Sequence, residues 1–140
     1  MSSLQRMSDS GDKRPAVPSL TILLVDDEPA MIKALTALLR RDGHRVDTAA
    51  NGQLALAQIH ERSYDLILSD LRMPDLDGPG LYRALEQQAP QLCQRFIVLT
   101  GDSLSPETEA FVAQSGVRRL MKPCTAAEVR RAIQHVMQAE

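Results

Sequence analysis

No stretch of this chain is apolar for the roughly 20 residues that a membrane-crossing helix needs. Neither sign of charge dominates: 16 Lys and Arg stand against 18 Asp and Glu, a net charge of −2. The first absence argues against a helical membrane protein. The second gives no reason to expect nucleic acid held on a basic face. The N-terminal MSSLQRMSDSGDKRPAVPS lacks an apolar core and does not read as a secretory signal. Cysteine is scarce. Cys93 and Cys124 stand in unrelated contexts, with no C-x-x-C spacing, and read as reduced, incidental thiols of a cytoplasmic protein.

What is present suits one domain: 140 residues, 44% hydrophobic and 24% charged. Residues 1–18 carry Ser, Asp, Lys, Arg, Pro and Gly without an apolar period, the composition of a disordered leader or linker. The folded unit is expected over 19–140. There, short aliphatic runs at 20–25, 66–68 and 96–99 alternate with helical spacing. Met31, Ile32, Leu35, Leu38 and Leu39 share one helix face, as do Val129, Ala132, Ile133, Val136 and Met137. Pro29 and Pro106 suit first turns, Ser105 an N-cap, and Thr125 with Glu128 a capping box. Gly43 and Gly116 stand where helices end.

The reading is five βα units, an α/β fold with a five-stranded parallel sheet covered on both faces. Strands are expected near 20–26, 45–49, 65–70, 95–100 and 117–121. The second and fifth carry Arg45, Asp47, Arg118 and Arg119, so they belong at the edges. That is the doubly wound order 2-1-3-4-5.

In such sheets ligands sit beyond the carboxyl ends of the strands, where the strand order reverses. Strand 1 ends in Asp26-Asp27-Glu28 and strand 3 in Asp70. Helix capping explains one of the first pair but not Asp70 on the neighbouring strand. Three converging carboxylates repel unless a cation joins them, and a hard oxygen set suits Mg²⁺. Strand 4 ends in Thr100, whose hydroxyl is expected at the same edge with little cover, and strand 5 in Lys122-Pro123. A hydroxyl donor and a compact cation beside a metal are what a phosphoryl group requires.

Asp26-Asp27, Asp70, Met73-Pro74-Asp75-Leu76-Asp77-Gly78, Thr100 and Lys122-Pro123 together resemble the receiver domain of two-component response regulators. The resemblance runs from about Leu20 to the C-terminus and implies the flavodoxin-like receiver fold. It implies that Asp70 is the phosphoacceptor, attacking a phosphohistidine of a sensor histidine kinase or phosphotransfer protein. It places Mg²⁺ on Asp27, Asp70 and the backbone carbonyl of Arg72, with Asp26 reaching it through water. Thr100 and Lys122 would hold phosphoryl oxygens, and the Lys122–Pro123 bond would be cis. The implied protein is a switch in a phosphorelay rather than an enzyme. Its output partner would dock on the face formed by the fourth helix, fifth strand and fifth helix.

Two departures carry expectations of their own. Arg119 stands where many receivers place an aromatic residue, so readout through a changed ion pair is expected. Arg72 and Asp102, two residues after Asp70 and Thr100, hold positions that tune phosphoryl lifetime and carry opposite charges. The stretch from Leu99 to Thr108, with Phe111 and Gly116, also resembles receivers of hybrid histidine kinases. A stand-alone regulator is the other setting. The alternatives weighed are a pseudo-receiver that binds without taking phosphate, an aspartate-nucleophile phosphatase and a flavin carrier. The phosphatase would want an aspartate where Arg72 stands, and the flavin carrier a Ser/Thr/Gly-rich loop after strand 1. Gly78-Pro79-Gly80 is no dinucleotide fingerprint. His44, His60 and His135 are scattered, with His60 an exposed helix residue.

Overall fold

The unbroken aliphatic runs form the inner strands. In the computed structural model, which describes residues 18–73, 75–101 and 105–138, these are β1 (Thr21–Val25), β3 (Leu66–Asp70) and β4 (Phe96–Thr100). The expected leader, apart from Pro18, lies outside the described residues, as do Pro74 and Asp102. The charged segments β2 (Arg45–Ala49) and β5 (Arg118–Met121) are the edges. The sheet is parallel throughout, in the order β2-β1-β3-β4-β5.

Alternation along each inner strand sorts its side chains into two cores. Leu23, Val25, Ile67 and Val98 face α2 (Gly52–Glu61) and α3 (Gly78–Gln88), packing with Ala55, Leu81 and Leu85. Ile22, Leu24, Leu68, Ile97 and Leu99 face α1 (Pro29–Arg41) and α5 (Ala126–Gln138), packing with Leu35, Leu39, Val129 and Ile133. Tyr82, Phe96 and Phe111 meet edge to face, with ring centroids 5.4 and 5.5 Å apart, tying α3 to α4 (Pro106–Ser115). Among its described residues α4 buries only Thr108 fully, so it is the least anchored helix.

Local signals end these helices as their chemistry requires. Ser105 accepts from the Thr108 amide, and Thr125 and Glu128 close a reciprocal capping box at 2.8 and 3.1 Å. Gly116 ends α4 in the left-handed region at φ 72°. One element has no counterpart in the sequence reading: a 3₁₀ helix, Pro90–Arg95, between α3 and β4. Pro90 starts it after Ala89 has broken α3.

The β2 edge is closed by side chains. Its outward carbonyls at Val46 and Thr48 accept from Arg40 Nη2 at 3.2 Å and Gln58 Nε2 at 3.1 Å. That blunts the strand against pairing with another chain.

His44 opens β2 and is buried, its Nδ1 accepting from the Leu20 amide at 3.1 Å. Burial holds this imidazole below its ordinary value, with Asp42 pulling the other way. The neutral form is therefore the folded form. Its contribution is complete above the ordinary imidazole value of about pH 6.5 and is lost as pH falls below it, through the lower value of the folded state. We expect wild-type stability to drop by on the order of 1 kcal/mol between about pH 7.5 and 5.5 through this bond. His44→Gln, which keeps an acceptor but does not titrate, should flatten that part of the urea-midpoint profile; parallel profiles would refute the assignment.

Candidate functional site

The register of the sheet brings the carboxylates together. Val25 lies opposite Ser69 in the β1–β3 ladder, so Asp26 and Asp70 emerge side by side from adjacent strand ends. The Asp26 amide still bonds Ala49 of β2, at 3.1 Å, which fixes the residue against the sheet. Its Oδ1 then accepts from the Glu28 amide at 2.9 Å, turning the chain into α1. Asp26 is fully buried, and its Oδ2 has no aligned hydrogen-bond donor among the described residues. Asp27 is exposed, and oxygens of Asp26, Asp27 and Asp70 all lie within 4.8 Å of one another.

Lys122 enters from the end of β5, where its amide bonds the Thr100 carbonyl at 2.8 Å. The peptide bond to Pro123 is cis. The Lys122 ammonium stands 3.3 Å from Asp26 Oδ2 and 3.4 Å from Asp70 Oδ1, an ion pair with both carboxylates. Burial and then the Asp26 charge push the Asp70 carboxyl above its ordinary value, with Lys122 opposing both. Burial also opposes the charge on Lys122, but Asp70 and Asp26 outweigh it and hold the ammonium above its usual range. The pocket therefore carries more negative charge than its one lysine balances. Hard oxygen donors in excess, one of them fully buried with the Lys122 ammonium beside it, fit a small divalent cation such as Mg²⁺.

The β3–α3 loop that follows Asp70 is held from behind. The Gly78 amide bonds the Leu71 carbonyl at 3.0 Å, and the Gly52 amide bonds Leu76 at 3.1 Å. Asp75 takes φ 68°, a left-handed conformation that aspartate tolerates better than most residues. Arg72 lies in this loop just beyond β3. Asp77 caps α3, its carboxylate accepting from the Gly80 amide at 2.9 Å.

Thr100 differs from the expectation of an open hydroxyl: it is buried, 3% exposed. β4 is a central strand, and the chain after β3 crosses its end, the Leu71 amide bonding Leu99 at 2.9 Å. Arg119 is half-buried opposite Val98 and makes no ion pair among the described residues. Cys93 and Cys124 are free thiols, far apart in sequence and half-buried. His60 is exposed on α2, as expected. Sequence reasoning gave Glu28 no role, yet its Oε1 lies 3.9 Å from Lys122 Nζ. Its place directly after two site aspartates was the available signal.

Residues 22–134 match the family model of the response regulator receiver domain. The chain belongs to that family. Receiver domains are signalling modules of two-component systems. Among curated relatives, the gliding motility regulatory protein of Myxococcus xanthus is 36% identical over 107 residues, 76% of this chain and 14% of that protein. The Escherichia coli transcriptional regulatory protein GlrR is 34% identical over 102 residues, 73% of this chain and 22% of that protein. The match thus spans less than a quarter of either relative. A solved structure, the receiver domain of the Pseudomonas aeruginosa sensor histidine kinase PA1611, superposes with a TM-score of 0.76 at 32% identity. The match covers 87% of this receiver and 100% of that chain, which has a magnesium ion coordinated in its active-site cleft. No helix among the described residues of this receiver is long and apolar enough to cross a membrane.

Proposed function

We propose that this receiver takes a phosphoryl group on Asp70 from the phosphohistidine of a sensor histidine kinase or phosphotransfer protein. The observation that carries the reading is Asp70 at the end of β3, facing Asp26 and Asp27 with Lys122 3.4 Å away. An Asp70 carboxylate oxygen attacks phosphorus, the P–N bond breaks, and its electron pair leaves on the imidazole nitrogen, which then takes a proton.

Asp27, Asp70 and the Arg72 carbonyl would hold Mg²⁺, with Asp26 as an outer contact. The ion's contribution is to neutralise charge on the transferring oxygens. The chain's own residues do the rest. Lys122, now shared between Asp26 and Asp70, turns to a phosphoryl oxygen, and the buried Thr100 hydroxyl donates to another. The change at Thr100 and Lys122 loosens or reseats α4, the least anchored helix, and alters what the α4–β5–α5 face binds. With no aromatic on β5, Arg119, which makes no ion pair among the described residues, is the residue on that face that would gain one. The functional unit is residues 19–140, a cytoplasmic switch that binds partners and turns over no second substrate.

Incubation with acetyl phosphate and Mg²⁺, followed by intact mass, tests the reading. One added phosphoryl group, absent when a chelator removes the divalent ion, is expected. An unchanged mass with Mg²⁺ for acetyl phosphate and for the less negative donor phosphoramidate alike would overturn it.

A further inference from the structure

Glu28 is the N-cap residue of α1, yet its side chain makes no capping bond. It lies instead at the mouth of the pocket, 60% exposed, with Oε1 3.9 Å from the Lys122 ammonium. Lys122 is 15% exposed and has Asp26 and Asp70 on its inner side. A single ammonium thus stands between two inner carboxylates and one outer carboxylate. Glu28 also lies outside the group of three aspartates whose oxygens converge. Glu28 is not among the carboxylates that would gather a cation, so its charge has Lys122 as its counter-charge, on the solvent-facing side of the pocket. Because this carboxylate meets solvent, its field on an incoming anion is weakened by water and by salt.

We infer that Glu28 is a specificity-determining residue that selects the class of phosphodonor. It disfavours small free dianions such as acetyl phosphate, by repulsion at the mouth and by competing for Lys122. It favours a protein donor that brings a cationic side chain beside its phosphohistidine. The backbone amide of Glu28 positions Asp26 whatever its side chain is, so the two roles of the residue separate on substitution.

The inference rests on Asp70 being the acceptor, and one rate comparison tests both. Wild type, Glu28→Gln and Glu28→Asp are each incubated with acetyl phosphate and Mg²⁺, and phosphorylation is timed by intact mass. Glu28→Gln should react about two- to five-fold faster near 20 mM salt, with the gain shrinking toward one near 1 M. Glu28→Asp, which keeps the charge, should stay near the wild-type rate. Phosphoramidate, a less negative donor, should show a smaller gain. A Gln rate equal to or below wild type, or a gain that high salt leaves intact, overturns the inference while leaving Asp70 as acceptor. No phosphorylation of any form overturns the underlying reading and the inference with it.

Discussion

Asp70→Asn is expected to lose phosphoryl uptake completely and to unfold at a higher temperature than wild type without divalent ions. The two effects share one cause. Burial and the Asp26 carboxylate make the ionised Asp70 costly in the folded state, and Lys122 only partly offsets this. An amide of the same shape removes the charge and keeps the packing. The expected gain is on the order of 1 kcal/mol, a few degrees in Tm for a chain of this size. The pH dependence follows from the direction of the shift. A carboxyl raised in the folded state contributes stability that is complete below its unfolded value and is lost as pH rises through its folded value. The difference between variant and wild type is therefore widest at neutral pH and closes on acidification toward about pH 4. Added Mg²⁺ should stabilise wild type more than the variant, narrowing the same gap. Calorimetry with and without Mg²⁺ checks it, and a variant less stable than wild type in chelator would contradict the electrostatic account.

Gly78→Ala should damage both fold and chemistry. A Cβ there would lie 2.8 Å from the Asp70 carbonyl oxygen and 3.1 Å from the Leu71 Cα, backbone atoms that cannot rotate away. The start of α3 is packed directly behind Asp70, so relief of the clash moves Asp70 relative to Lys122. Overpacking of this kind costs about 1–3 kcal/mol, a large share of a total stability of about 5–15 kcal/mol. Gly101→Ala is the control, since its Cβ would meet only Lys122 carbons at 3.9 and 4.0 Å. The expected result is a lower urea midpoint and slower phosphorylation for Gly78→Ala, with Gly101→Ala near wild type in midpoint. Equal behaviour of the two variants would mean that the loop yields without disturbing the site.

The sheet was legible because burial leaves a compositional mark. Strands covered on both faces are continuously aliphatic, as in residues 66–68 and 96–99, whereas Arg45, Asp47, Arg118 and Arg119 mark the edges. Once strand order is known, parallel register places Asp26 beside Asp70, so the acidic pocket is legible in the sequence. Three features could not. The burial of Thr100 depends on how the loop after β3 crosses the end of β4, a tertiary event with no period in the sequence. The 3₁₀ turn after α3 follows from Ala89 leaving helical geometry, which Pro90 alone does not specify. Glu28 read as an ordinary charge at a helix start, because direction of a side chain in a turn is set by what packs around it. Arg119 marks a different limit: its sequence position excludes an aromatic relay through β5, but the three clustered rings lie instead at Tyr82, Phe96 and Phe111.

The central claim is that the phosphoryl group resides on Asp70. After reaction with acetyl phosphate and Mg²⁺, borohydride reduction converts an aspartyl phosphate to homoserine, which peptide mass spectrometry locates. Homoserine at position 70 alone is the predicted result. Homoserine at position 26 or 27, or phosphate retained on a serine, threonine or histidine, would contradict the account.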